Sequence, residues 1–256
     1  MLKNLYEYRE LLKSNVKKEI RGKYKGSFLG ILWSFVNPLL SVLVYAIIFP
    51  IVLKTNQDNY VTFLIIGMLP WTFFTTAINQ GTFTVVGNAG IIKKVYFPRE
   101  ILPISVVTSG LINFMISCLI IFIFLIISGL GFSWYALLLP LIVIIQYILT
   151  LGIVFITSAI NVYIRDAEYI INFILTMLFY ATPILYSSDL FVNSNLSWII
   201  KLNPMATLIN SYRDVLFYQT LPNMNSLLIV LVGSIILLFI GIMVFKKLEK
   251  GFAEEV

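Results

Sequence analysis

Charged residues fall along this chain in clusters, and the stretches between the clusters are long and apolar. No Asp, Glu, Lys or Arg occurs between Lys25 and Lys54, between Asp58 and Lys93, between Glu100 and Arg165, between Glu168 and Asp189, or between Asp214 and Lys246. A charge at the centre of a spanning helix costs about 2.5–3.5 kcal/mol on insertion scales, so the charge-free stretches mark where lipid can lie. A hydrocarbon core of about 30 Å takes about 20 helical residues, and four of the stretches hold one span each. The stretch after Glu100 holds two, because Gly129, Gly131 and Ser133 signal a turn at its middle. The pattern predicts six spans, near 29–53, 60–83, 101–128, 134–161, 169–187 and 226–245.

Shorter periodicities predict what lies between the spans. Leu5, Tyr8, Leu12, Val16 and Ile20 recur at three and four residues with basic residues between them, the pattern of an amphipathic helix lying in the membrane interface. A plain basic tail that only sets topology is the alternative; it would supply the charges without the apolar stripe. Nothing in this segment reads as a signal peptide. Residues 87–100 read as a short helix ended by Pro98, and Ile91, Ile92, Val95, Tyr96 and Phe97 make it too apolar for a solvated loop, as if it docks in a partner's groove. Residues 187–225 are too polar to span and too apolar to float, so re-entrant or interfacial helices on the outer face are expected, one opened by Pro204 and carrying Leu208, Tyr212, Val215 and Leu216.

Composition agrees with lipid as the solvent. Of 256 residues, 59% are hydrophobic and 12% charged, and the mean hydropathy is +0.94. An average soluble domain is about 25% charged. The net charge of +6 sits at span edges: fifteen basic residues fall in the N-terminal segment, the second and fourth loops and the tail, against Lys54, Lys201 and Arg213 on the opposite face. This bias puts both termini in the cytoplasm and argues against a nucleic-acid groove. With no His and the single Cys118, a zinc site, a thiolate cluster and an internal disulfide are all excluded, and no metal is expected.

The predicted spans lack ionisable residues at depth, which argues against proton-coupled transport, intramembrane proteolysis and a carboxylate-based transferase. There is no G-x-x-x-x-G-K-[ST] loop, so any ATP-derived energy must arrive from a partner. Asn79, Gln80, Asn113, Gln146, Asn161 and Asn172 are the neutral polar groups of the spans, and interhelical hydrogen bonds would explain most of them. Aromatic residues make up 15% of the chain. Interfacial belts account for some; the others could offer ring faces to the apolar faces of sugars, with Trp33, Tyr45, Trp71, Phe73, Phe74, Phe179, Tyr180 and Tyr186 as candidate channel aromatics. Arg165 and Asp166 close the fourth span, where a plain helix end with a local ion pair would explain them.

Taken in order, several short pieces resemble a known family. They are Arg21-x-Lys23-Tyr24-Lys25, Leu29-Gly30-x-x-Trp33, Asn37-Pro38, Gly67-x-x-Pro70-Trp71, Lys93-Lys94-x-x-Phe97-Pro98-Arg99, Asn161-x-x-x-Arg165-Asp166, Pro183-x-x-Tyr186 and Asn203-Pro204-Met205. The chain resembles the membrane subunits of type-2 ABC exporters, the permeases for O-antigen, capsule or teichoic-acid polysaccharide. The resemblance implies an all-α polytopic fold forming a single transmembrane permease domain, with residues 1–25 as interfacial helix and entry, 29–245 as the six-span bundle and 246–256 as a cytoplasmic tail. It implies a homodimer in the bacterial cytoplasmic membrane with two copies of an ATPase subunit that holds ATP and Mg, and no cofactor on this chain. It also implies a channel between the halves lined by the first and fifth spans. Ile91, Ile92, Lys93, Lys94, Tyr96, Phe97, Pro98 and Arg99 would match the family's coupling segment, Arg165 and Asp166 its second contact, and Arg21, Lys23 and Lys25 the entry that receives an undecaprenyl-pyrophosphate-linked glycan. The rivals are a related exporter of a drug or lipid amphiphile, a membrane transferase, and a passive channel.

Overall fold

The computed structural model describes residues 6–24, 26, 28, 30–53, 58–188 and 197–256. The described residues form helices and turns: α1 (Arg9–Tyr24), α2 (Trp33–Leu53), α3 (Tyr60–Gly87), α4 (Ala89–Ile92), α5 (Ile101–Ile127), α6 (Leu139–Tyr163), α7 (Ala167–Ala181), α8 (Ser197–Leu202), α9 (Pro204–Leu216), α10 (Met224–Leu248) and α11 (Phe252–Glu255), with short 3-10 turns at 30–32, 134–138 and 249–251. The chain is an all-α polytopic membrane protein. Four helical stretches, Tyr60–Gly87, Ile101–Ile127, Trp134–Tyr163 and Met224–Glu255, are long and apolar enough to cross a bilayer, and Val36–Ile51 and Ala167–Ala181 are shorter apolar helices.

The most deeply packed helix is α3, which has α2, α5, α6, α7 and α9 against it. Helices α6 and α10 form the most extensive pairing, and two glycines explain how close they come. A Cβ at Gly152 would lie 2.8 Å from the Leu238 backbone nitrogen, and one at Gly241 would lie 2.6 Å from the Gly152 carbonyl oxygen. Association inside lipid lacks a hydrophobic drive and depends on such backbone approach. The turn between α5 and α6 falls where the sequence put it, with Gly129 and Gly131 at φ of 75° and 68°, a region closed to most side chains.

One expectation is corrected. The fifth span was predicted over 169–187, but its helix stops at Ala181 and residues 182–186 run as unwound backbone with Thr182, Ile184 and Leu185 buried. A 15-residue helix rises about 22 Å, short of a 30 Å core, so the unwound stretch must carry the remainder. The N-terminal helix α1 lies along α5, with Tyr8 and Leu12 of the predicted stripe and the neighbouring Leu11 partly buried on the core, and Lys18 Nζ donates to Asn88 Oδ1 at 3.1 Å. Leu5 of that stripe lies outside the described residues.

Candidate functional site

The unwound stretch raises a question that any backbone inside a membrane protein must answer, namely where its carbonyls find donors. Arg213 of α9 supplies most of them. Its guanidinium is 1% exposed and donates from Nη2 to the Ile184 carbonyl at 2.6 Å and from Nη1 to those of Pro183 and Tyr186. Tyr60 Oη donates to the Leu185 carbonyl at 2.6 Å. The Arg213 carbon Cζ sits 3.5 Å from the centroid of the Phe63 ring, and Gly67 leaves the room it needs, since a Cβ there would meet Nη2 at 2.8 Å. The sequence reading had placed Arg213 with the outer-face cations. The signal was present, because residues 209, 213 and 216 lie on one helical face with Ile209 and Leu216 buried.

Helix α9 is set by the Asn203-Pro204 pair. The Asn203 side chain accepts from Met205 N at 3.0 Å, Pro204 fills the first turn, and Asn203 Nδ2 donates to Thr182 Oγ1 at 2.8 Å, tying the start of α9 to the end of α7. Deeper in the bundle, Gln146 Nε2 donates to the Pro70 carbonyl at 2.8 Å and its Oε1 accepts from Tyr212 Oη at 2.8 Å. Gln146 therefore has a packing role. Asn79 and Asn172 do not.

Those two amides line a cleft of about 310 Å³ between α2, α3 and α7, together with Thr75, Thr176 and four rings, Tyr45, Trp71, Phe179 and Tyr180. The rings form a continuous run: Trp71 to Phe179 at 6.0 Å, Phe179 to Tyr45 at 6.0 Å, and Phe179 to Tyr180 at 5.2 Å between centroids. The remaining aromatic candidates lie elsewhere. Phe73 and Phe74 are buried in the chain's own core, with Phe73 stacked on Phe114 at 5.5 Å and Phe74 tilted on Trp71 at 5.6 Å. Trp33 borders a separate cleft of about 480 Å³ with Asn37, Pro38, Thr72 and Phe73. Tyr186 donates its hydroxyl to the Tyr180 carbonyl at 2.6 Å and closes the end of α7.

The second loop is less helical than predicted, since α4 is one turn and the chain from Val95 to Pro98 is irregular. Ile92 and Phe97 are buried, Pro98 and Arg99 are half-buried, and Ile91, Lys93, Lys94, Val95 and Tyr96 are exposed, Tyr96 at 92%. Ile92 and Phe97 therefore face the chain itself. The loop is backed by the tail, for which the sequence had suggested only positive charge. Arg99 Nη1 donates to the Glu249 carbonyl, and Phe252, fully buried, packs at 5.3 Å on Phe245 and at 6.3 Å on Tyr163. Tyr163 Oη donates to the Leu248 carbonyl at 2.7 Å. Burial, and next the nearby Glu100, push the Glu249 carboxyl above its ordinary value, against the pull of Arg99, Lys246 and Lys250. Arg165 and Asp166 are both exposed beyond Tyr163 and form no ion pair with each other. Arg21 is exposed on α1, Lys23 lies in the same helix, and Lys25 falls outside the described residues.

A helical membrane body with an open, amide-and-aromatic cleft and an exposed basic and apolar loop is the build of a permease subunit. The model of the family described as "ABC-2 type transporter" matches residues 10–217, and the chain belongs to that family. It is 37% identical over 257 residues to the O-antigen export system permease protein RfbA of Myxococcus xanthus, covering 100% of this chain and 99% of that protein. Two proteins of the same name from Klebsiella pneumoniae are 39% and 38% identical over 247 residues, each covering 96% of this chain and 94% of the relative.

Proposed function

We propose that this chain is the membrane subunit of an ATP-driven exporter that carries lipid-linked polysaccharide of the O-antigen type across the cytoplasmic membrane. The observation that carries the reading is the cleft of Tyr45, Trp71, Phe179 and Tyr180 with Asn79 and Asn172. Ring faces lie against the apolar faces of sugars, and carboxamides both donate to and accept from hydroxyls. Because the cleft is a surface feature of one subunit, it makes half a passage, and a second copy facing it across α2 and α7 encloses the other half. Six spans with both termini in the cytoplasm fit the positive-inside bias of the loops.

Energy comes from two copies of an ABC ATPase, which bind ATP and Mg and grip the exposed face of Ile91, Lys93, Lys94, Val95 and Tyr96, and also Arg165 and Asp166. Ile92, Phe97, Pro98 and Arg99 hold that face onto the bundle. Arg21, with Lys23 and Lys25, receives the carrier pyrophosphate at headgroup depth, where cations meet phosphate without a charge crossing lipid. Affinity purification of the tagged chain from cells carrying its neighbouring genes tests this. Recovery of an ABC ATPase whose turnover rises with added lipid-linked glycan is expected; recovery of the chain alone, with no ATPase bound, would contradict it.

A further inference from the structure

A third cavity, of about 330 Å³, opens along α9 from Thr207 to Asp214, between α9, Phe63 of α3, the start of α10 and residues 187–188. Its chemistry differs from the aromatic cleft. Asn210, Arg213, Asp214, Tyr218 and Asn223 form the wall with several serine and threonine hydroxyls. The size is at the lower end of the roughly 300–1,000 Å³ typical of small-molecule sites, enough for one compact unit and too small for a chain.

The donors and acceptors narrow the class of ligand. Two Arg213 nitrogens are engaged by backbone carbonyls, but Nε is buried without an acceptor. A buried donor left without a partner costs about 1–3 kcal/mol, which a ligand oxygen would offset. An anion is disfavoured by the Asp214 carboxylate in the same wall, and a cation by the guanidinium. Asn223 uses its oxygen to cap α10 by accepting from Ser226 N at 3.0 Å, so its amide nitrogen stays a donor. Asn210 accepts from Ser188 Oγ at 3.2 Å, which fixes its carboxamide in place. Tyr218, 46% exposed, adds a ring. A carboxylate, two carboxamides, an N–H donor and an aromatic face together suit a neutral, many-hydroxyl ring.

We infer that this cavity is a sugar-binding subsite at the outer mouth of the exporter, holding a single residue of the glycan as it leaves. The inference rests on the polysaccharide reading above and adds a second place of contact, downstream of the aromatic cleft. Each sugar residue released from the passage meets a wall that can exchange its hydration hydrogen bonds for protein ones.

The test uses the complete exporter with its ATPase in lipid nanodiscs, titrated calorimetrically with the surface polysaccharide of the same strain after mild-acid release from its lipid. Wild type is expected to bind it, and Tyr218→Ala and Asn210→Ala are each expected to weaken binding about ten-fold, the loss of one or two hydrogen bonds or a stacking contact. Unchanged melting temperatures would show that both variants fold, and either one alone suffices. Equal affinity in wild type and variants, or no binding, would overturn the subsite if the same preparation moves lipid-linked glycan in vesicles when given ATP. A preparation that moves none would overturn the transport reading itself, and the subsite with it.

Discussion

The Arg99 guanidinium donates to the backbone carbonyl of Glu249, joining the loop between α3 and α5 to the tail across 150 positions of sequence. Around this bond Phe252 is buried, with Tyr163 and Phe245 against its ring, and α11 rests on α4. A force applied to the loop therefore reaches α6 and α10 as well as α3 and α5, which it joins.

The contrast between Phe252 and Tyr96 separates holding the loop from docking on it. Phe252→Ala empties a buried site and is expected to cost about 3–5 kcal/mol, read as a lower melting temperature in detergent. Tyr96→Ala, at a residue 92% exposed, is expected to change stability by less than about 0.5 kcal/mol. The same Tyr96 variant is expected to lose stimulation of the partner ATPase by glycan. Stimulation equal to wild type would remove Tyr96 from the contact.

Tyr180 and Asn172 are exposed in the aromatic cleft, so they can be changed without disturbing the core. Tyr180→Ala and Asn172→Ala are expected to leave assembly with the ATPase intact and to lower surface polysaccharide several-fold, as measured by glycan staining of intact cells. Trp71, 5% exposed, is a poorer probe because its loss also opens a core cavity.

Arg213 carries the unwound end of α7. Arg213→Met removes the donors of three carbonyls, and at about 1.5–3 kcal/mol for each hydrogen bond to a charged group, a loss of at least about 3 kcal/mol is expected. The readout is the melting temperature. Near-native stability would show that water or neighbouring side chains serve those carbonyls equally well.

How much of this was legible in the sequence depends on whether a feature is local. The α5–α6 turn announced itself through Gly129 and Gly131, and the charge gaps located the apolar helices. The early end of α7 did not, because Thr182 to Tyr186 are apolar enough to continue a span and only the partner Arg213, about thirty positions away, shows why they unwind. Hydropathy counted Arg213 as an outer-face charge; its spacing from Ile209 and Leu216 was the better guide. Four of the eight aromatic candidates share the cleft, and their amide neighbours Asn79 and Asn172 were visible only as polar residues without a face. The tail escaped notice because Phe252 is a single apolar residue whose partners are Tyr163 and Phe245.

Asp214 gives the cavity along α9 a pH dependence. Burial pushes its carboxyl up to about 6, and the charged or titratable side chains beside it in the cavity wall are Arg213 and Tyr218. As pH falls through 6 the carboxylate is neutralised and loses acceptor strength, so glycan binding at the subsite is expected to weaken between pH 7 and 5. Stability moves the other way: an acid whose folded value is raised gains as pH drops from about 6 toward the ordinary 3.8. Asp214→Asn should flatten both profiles; an unchanged binding profile in that variant would assign the dependence to another group.

On the proposed reading, an uncharged conduit in this chain is driven by a separate nucleotide-hydrolysing subunit. The most direct test is transport of lipid-linked glycan into sealed vesicles holding this chain and its ATPase, with and without ATP. Accumulation is expected only when both subunits and ATP are present, and none with an ATPase unable to hydrolyse. Accumulation by this chain alone, or without nucleotide, would contradict it.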